Sequence, residues 1–255
     1  MGKIVKYILL DILRNKVVLG YTLLLLVISS SVFLLDDNAV KGTLSLLNVI
    51  LIIVPLVSVV FSTVYFYNSS EFIELVLAQP VRRNALVTSI YAGLSSALVL
   101  AFVIGSGIPL LVFAPTGAAV AMLLSGIVLT LVFAAFAMLA SVMTRDKAKG
   151  IGAAIMLWLY FAIIYDVLIL FVLFSFSDYP LEKAMVALSS LNPVDMARII
   201  ILLKLDISAI MGYTGAVFKE FLGTITGSAY AFGIMLLWIA LPVWLSIRKF
   251  STKDL

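Results

Sequence analysis

Cysteine and histidine are both missing from this 255-residue chain. Their absence excludes disulfides, thiol nucleophiles, iron–sulfur and zinc-thiolate centres, histidine-held haem and His-dependent triads. Charge is nearly as scarce. Charged residues make up 12% and hydrophobic residues 64% of the chain, whereas a soluble domain is about 25% charged. No G-x-x-x-x-G-K-[ST] loop occurs, so ATP is not bound and hydrolysed here in the P-loop manner. The net charge of +4 follows the side preference described below and is no sign of nucleic-acid binding.

What the chain has in quantity is long apolar runs, at or beyond the roughly 18 residues that span a bilayer. Six are assigned, at about 17–35, 44–67, 85–113, 117–143, 151–176 and 225–247. No linker, repeat or low-complexity tract divides them. The expected fold is therefore an all-α polytopic membrane protein, read as one transmembrane domain over 1–255. The third run contains Gly105, Gly107 and Pro109 and is expected to tilt or break near its far end. Pro55 and Pro242 lie inside the second and sixth, where neighbours must satisfy the lost backbone bonds. Ahead of the first run, Ile4, Val5, Ile8, Leu9 and Ile12 form a stripe opposite Lys3, Lys6 and Arg14, as in a helix lying in the membrane interface.

Orientation follows from Lys and Arg. With the N-terminus inside, 12 of the 17 basic residues fall on the inner segments, so the positive-inside rule places both termini in the cytoplasm. In the loop 144–150, Arg145, Lys147 and Lys149 need no role beyond facing anionic lipid.

The segment 68–84, NSSEFIELVLAQPVRRN, stands out among the inner loops because a topogenic loop needs only positive charge. Asn68 can cap a helix over 71–79 with Glu71 in a capping box, and Pro80 stops it. Phe72, Ile73, Leu75, Val76 and Leu77 fill one broad face; Glu71, Glu74 and Ala78 fill the other. Gln79, Arg82 and Arg83 complete the loop. A short amphipathic helix with an acidic stripe and a basic exit is suited to docking on another protein.

On the other side, 177–224 is the only substantial segment outside the membrane. Asn192, Pro193 and Asp195 read as a helix start, with an Asn cap, Pro at the first position and an acid in the first turn. The helix runs through Arg198 to about Lys204–Asp206. Gly212 and Gly215 mark a turn before a second amphipathic piece, AVFKEFLG. Such apolar helices are expected to pack on the outer mouth of the spans or to re-enter the membrane partway.

Asp166 is the one formal charge inside a span. It can mark a substrate, ion or proton site, or be an acid bonded to Tyr160, Tyr165 or Ser175 that fixes packing. Met185, Met196 and Met211 on the outer segment match no metal-ligand spacing and read as packing residues. Gly223, Gly227 and Gly233 permit close helix approach, within the chain or between copies.

The run Glu74-Leu75-Val76-Leu77-Ala78-Gln79-Pro80-Val81-Arg82-Arg83 resembles the E-x-L-L-x-x-P-V-x-R motif in the first cytoplasmic loop of ABC-2 transporter permeases. Phe72-Ile73 stands where that family often has Gly-Thr. The six spans, the N-terminal interfacial helix and the Asn192-Pro193 helix start are similar too, so nearly the whole chain is covered. Within the family, FIELVLAQPVRR, YDVLILFVL, LNPVDMARIIILLKLD and MGYTGAVFKEF resemble the permeases of nitrous oxide reductase maturation transporters. The resemblance implies a type V exporter-like fold and a non-catalytic subunit in a bacterial inner membrane. It implies a homodimer with two copies of a cytoplasmic ATPase, which carries ATP and Mg, and an outer β-helical copper-handling protein. The residues 71–83 would then couple the ATPase to the spans. Two other readings stand beside this one: an ABC-2 exporter of a drug, ion or lipid, and an ATP-independent transporter or channel using Asp166.

Overall fold

Every element of the computed structural model is a helix among the residues it describes, 2–35, 38–176, 182–205 and 218–251. Asp206, Met211, Gly212, Gly215 and Lys253 lie outside them. The first helix, α1 (Gly2–Leu13), buries Ile8 and Ile12 against α5 (Arg83–Phe102). A Cβ on Gly93 of α5 would sit 2.8 Å from the Ile8 side chain, so glycine is what lets α1 lie this close. The chain turns at Asn15, whose side chain accepts from the Val17 N–H, and enters α2 (Lys16–Leu35).

The second span, α3 (Ala39–Asn68), is longer than expected at both ends, because Asn38 caps it outside the apolar run. Pro55 is buried within it, and the Trp158 indole donates to the Ile52 carbonyl one turn earlier. A short helix, α4 (Ser70–Leu77), then leads to α5. The third span changes its winding at the glycines where a tilt or break is expected, and stays continuous. A π-helical turn at Val103–Gly107 separates α5 from α6 (Ile108–Phe113), and Ser106 there bonds Ser29 of α2 at 2.9 Å. The Gly105 Cβ position lies 2.8 Å from the Thr22 carbonyl, so α2 crosses the π-helical turn backbone to backbone.

The centre of the bundle is α7 (Gly117–Met143), which packs on α3, α5 and the later helices. Its alanines let neighbours close on it, and 67% of its most apolar stretch is buried, against 11% for the fifth span. That fifth span is made of α8 (Lys147–Leu159), a second π-helical turn at Tyr160–Ile164, and α9 (Tyr165–Ser175). Asp146 caps α8 by accepting from the Ala148 and Lys149 N–H groups. The last span is α12 (Ile225–Ser251).

Between the fifth and sixth spans, α10 (Glu182–Ser190) and α11 (Pro193–Lys204) meet at a bend of 116°. Their turn is tied to both spans far from the span ends. The Asn192 side chain donates to the Phe161 carbonyl, and the Trp238 indole donates to the Ser190 carbonyl. At 1.5 Å per residue, Phe161 and Trp238 are about 20 Å from the near ends of their helices, within a hydrocarbon core about 30 Å thick. The turn thus lies level with the middles of the fifth and sixth spans. Phe133, Phe136, Phe161 and Trp238 stack in one aromatic cluster at this depth, so the turn arrives on a rigid floor. Gly223 and Gly227 pack against the backbone of the turn at 218–222, while nothing approaches Gly233. Their spacing therefore shapes the entry to α12.

Candidate functional sites

At one end of the bundle, α4 crosses beneath α3 and α5. Its start differs from the capping box drawn from the sequence. Asn68 is the last residue of α3, and its side-chain carbonyl accepts from the Lys147 ammonium at 2.7 Å. The cap position falls to Ser69, which makes no side-chain capping bond, and the helix ends at Leu77, short of Pro80. The reason is tertiary: α3 stays helical through residue 68 because Tyr67 is anchored to Thr144 across the bundle. With the cap at Ser69, Glu71 is the second helical residue and not the third that a capping box needs.

The apolar face of α4 divides in two. Ile73 is buried, and Phe72, Val76 and Leu77 are half-buried. Phe72 stacks on Tyr7 of α1, ring centroids 5.5 Å apart. Leu75 points the other way, 69% exposed, on the side that also carries Glu71, Glu74 and Ala78. Gln79, Pro80, Arg82 and Arg83 are exposed beside it. The helix is thus held to the bundle by one half of its apolar surface and offers a leucine ringed by acids with the other. A lone exposed leucine is unremarkable; this one stands on a short helix strapped across the bundle end, with Glu71 and Glu74 exposed on the same side.

At mid-depth on the opposite side, the buried Asn192 donates to the Phe161 carbonyl of the π-helical turn at 2.9 Å. The other amide atom of Asn192 accepts from the Val194 N–H and caps α11, as its sequence position suggests. Tyr165 donates to the Leu188 carbonyl at 2.6 Å. Pro193 follows at the first helical position, buried. One turn further along each helix, Arg198 donates from the same nitrogen, Nη1, to Asp166 at 2.8 Å and to Asp195 at 3.2 Å.

The partner of Asp166 is therefore Arg198, 32 residues away in sequence, and neither Tyr160, Tyr165 nor Ser175. Tyr160 packs its ring on Phe161 and Tyr165, Tyr165 is engaged by the Leu188 carbonyl, and Ser175 is exposed at the end of α9. The Asp195–Arg198 contact is an i,i+3 pair, the one part of the cluster readable from spacing. Asp195 is almost wholly buried, and among the described residues no donor reaches its second oxygen. Two acids share one guanidinium, which pins α11 to α9. Breaking such a pair costs more than forming it gains, because the group left behind has been stripped of water. Met185 and Met196 are buried among apolar side chains nearby.

A protein-family profile described as "ABC-2 family transporter protein" matches residues 4–255, taking in both sites and all six spans. No curated protein shows significant similarity to the chain.

Proposed function

The chain belongs to the ABC-2 family of transporter proteins, and from that premise we propose that it is the permease subunit through which a separate ATPase moves the membrane spans. The six apolar helices make it a multi-pass membrane protein, and family membership implies an ABC ATPase partner on another chain. The observation that carries the coupling role is the split face of α4, with Leu75, Glu71 and Glu74 turned outward while Ile73 and Phe72 tie the helix to α1, α3 and α5. A push on the exposed half reaches two spans and the N-terminal helix at once. Leu75 enters an apolar recess of the ATPase, Glu71 and Glu74 meet its basic residues, and Arg82 and Arg83 hold the loop at the lipid headgroups. On this reading the α4 end is cytoplasmic, in a bacterial inner membrane.

A second copy of the chain fits the large apolar faces left bare on α2, α9 and α12, where Leu23, Phe171 and Leu237 are among the exposed side chains. At a finer level, the stretches named above support a role like that of NosY, the permease in copper-centre maturation of nitrous oxide reductase. There the bent pair α10–α11 is the part that moves an outer partner, and the chain itself need carry no copper.

The test is ATPase stimulation in proteoliposomes. Leu75→Asp and Glu74→Lys each lower stimulation at least about ten-fold, as expected for a lost interface anchor, in protein inserted like wild type. Stimulation that survives both substitutions overturns the coupling role. Purification from native membranes separates the finer reading: an ATPase that co-purifies without an outer β-helical protein removes the copper role and leaves the permease role standing.

A further inference from the structure

At the end of the bundle opposite α4, a cavity of about 310 Å³ opens between α7, α11 and the start of α12. Each helix meets it in the same order. The residue nearest the bundle end is polar or bare backbone: Gly117, the first of α7, Lys204, the last of α11, and Ser228, near the start of α12. One to two turns deeper stand Leu124, Ile200 and Phe232. Leu124 is 43% exposed, so the cavity opens sideways from the bundle. The turn before α11 lies level with the span middles, and the 12 residues of α11 cover about 18 Å. That length carries Lys204 to the headgroup boundary of a hydrocarbon core about 30 Å thick.

Lys204 is the one charged side chain in the described wall, and among the described residues no acid forms an ion pair with it. A lysine in the last turn complements the negative end of its helix, which accounts for the residue but not for the cavity beside it. The volume is double the roughly 150 Å³ that admits a benzene ring, and a mostly apolar wall with a few placed polar groups is that of a ligand site. A cation is repelled by the ammonium, and a free inorganic anion leaves the apolar wall unused. A positive charge at headgroup level, with apolar surface running inward below it, has the profile of a lipid, and basic recesses between spans bind anionic headgroups. We propose that this cavity seats an anionic phospholipid of the surrounding bilayer, its phosphate on Lys204 and Ser228 and one acyl chain against Leu124, Ile200 and Phe232. The Ser228 hydroxyl donates to the Leu222 carbonyl at 3.4 Å, a long bond that a phosphate oxygen can replace. Binding here is independent of coupling through α4, and its test needs no ATPase.

Full-length chain in nonionic micelles is titrated with phosphatidylglycerol and with phosphatidylcholine of the same chains, and bound lipid is counted by native mass spectrometry. Phosphatidylcholine carries the same phosphate but offsets it with its own ammonium. The chain retains phosphatidylglycerol about five-fold more tightly than phosphatidylcholine. Lys204 is exposed, so Lys204→Met tests the site without disturbing packing; it lowers phosphatidylglycerol affinity about five-fold. Lys41→Met removes an equal charge from the start of α3, at the same end of the bundle, and leaves the affinity unchanged. Leu124→Trp fills the cavity and keeps Lys204; it abolishes retention while the unfolding midpoint stays near that of wild type. Glycerol phosphate, the headgroup anion without its chains, does not displace the lipid. Equal retention of the two lipids, wild-type affinity in Lys204→Met or Leu124→Trp, or an equal loss in Lys41→Met overturns the assignment. Displacement by glycerol phosphate overturns it too, by making the occupant a free anion from the aqueous phase.

Discussion

Removing Arg198 should separate the bent pair α10–α11 from the fifth span. In the native protein its Nη1 lies 2.8 Å from Asp166 and 3.2 Å from Asp195, with the Arg198 and Asp166 side chains 31% and 29% exposed. Arg198→Gln leaves two acids facing each other without a cation. A fully buried pair broken on one side loses about 3–5 kcal/mol. The partial exposure of this one brings the expected loss down to about 2–4 kcal/mol. Asp166→Asn is milder, about 1–2 kcal/mol, because Arg198 keeps Asp195. In the double variant no guanidinium is stranded and only one acid lacks a partner, so its loss falls short of the sum of the singles by about 1–2 kcal/mol. The assay is reversible unfolding in mixed micelles by sodium dodecyl sulfate titration, followed by tryptophan fluorescence, since Trp238 bonds the turn that Arg198 secures. Single-variant losses that add to within about 0.5 kcal/mol would show that the contact holds nothing together, and the role given to the cluster falls with it.

Asn192→Ala removes both the α11 cap and the bond to the Phe161 carbonyl, and is expected to cost about 2–4 kcal/mol in the same unfolding assay. Gly93→Leu drives a side chain into Ile8 and releases α1, seen as faster proteolysis within residues 2–15 and a loss of about 1–3 kcal/mol, whereas Gly152→Leu, which meets open space, leaves both unchanged. Phe72→Ala removes the stack on Tyr7 and loosens α4 by about 1 kcal/mol, so ATPase stimulation falls although the Leu75 anchor is intact; full stimulation would show that docking alone, without rigid attachment to α1, is enough.

Hydropathy made the spans legible because each must hide about 20 apolar residues from water whatever its neighbours are. Gly117–Met143 falls where the uncharged run does, and the π-helical turn of the third span lies at its glycines. The helix start at Asn192-Pro193 was equally local, since a cap and a fixed φ act over three residues. The start of α4 was not. Asn68 has the right chemistry for a cap, but the Tyr67–Thr144 contact keeps α3 wound and hands Asn68 to Lys147.

Local physics, then, settled the class of the protein, the number of spans, the position of the amphipathic loop and the ends of α11. It left Asp166 without a partner, because Arg198 stands on a helix that could as well have lain flat on the membrane. Folding that helix into the bundle depends on Asn192 reaching a carbonyl in a π turn, on Trp238 reaching Ser190, and on an aromatic floor drawn from three separate elements. Those contacts join residues far apart in sequence, and their geometry exists only once the helices have packed. The charge cluster is a product of that packing, as is the division of the α4 face that turns Leu75 outward.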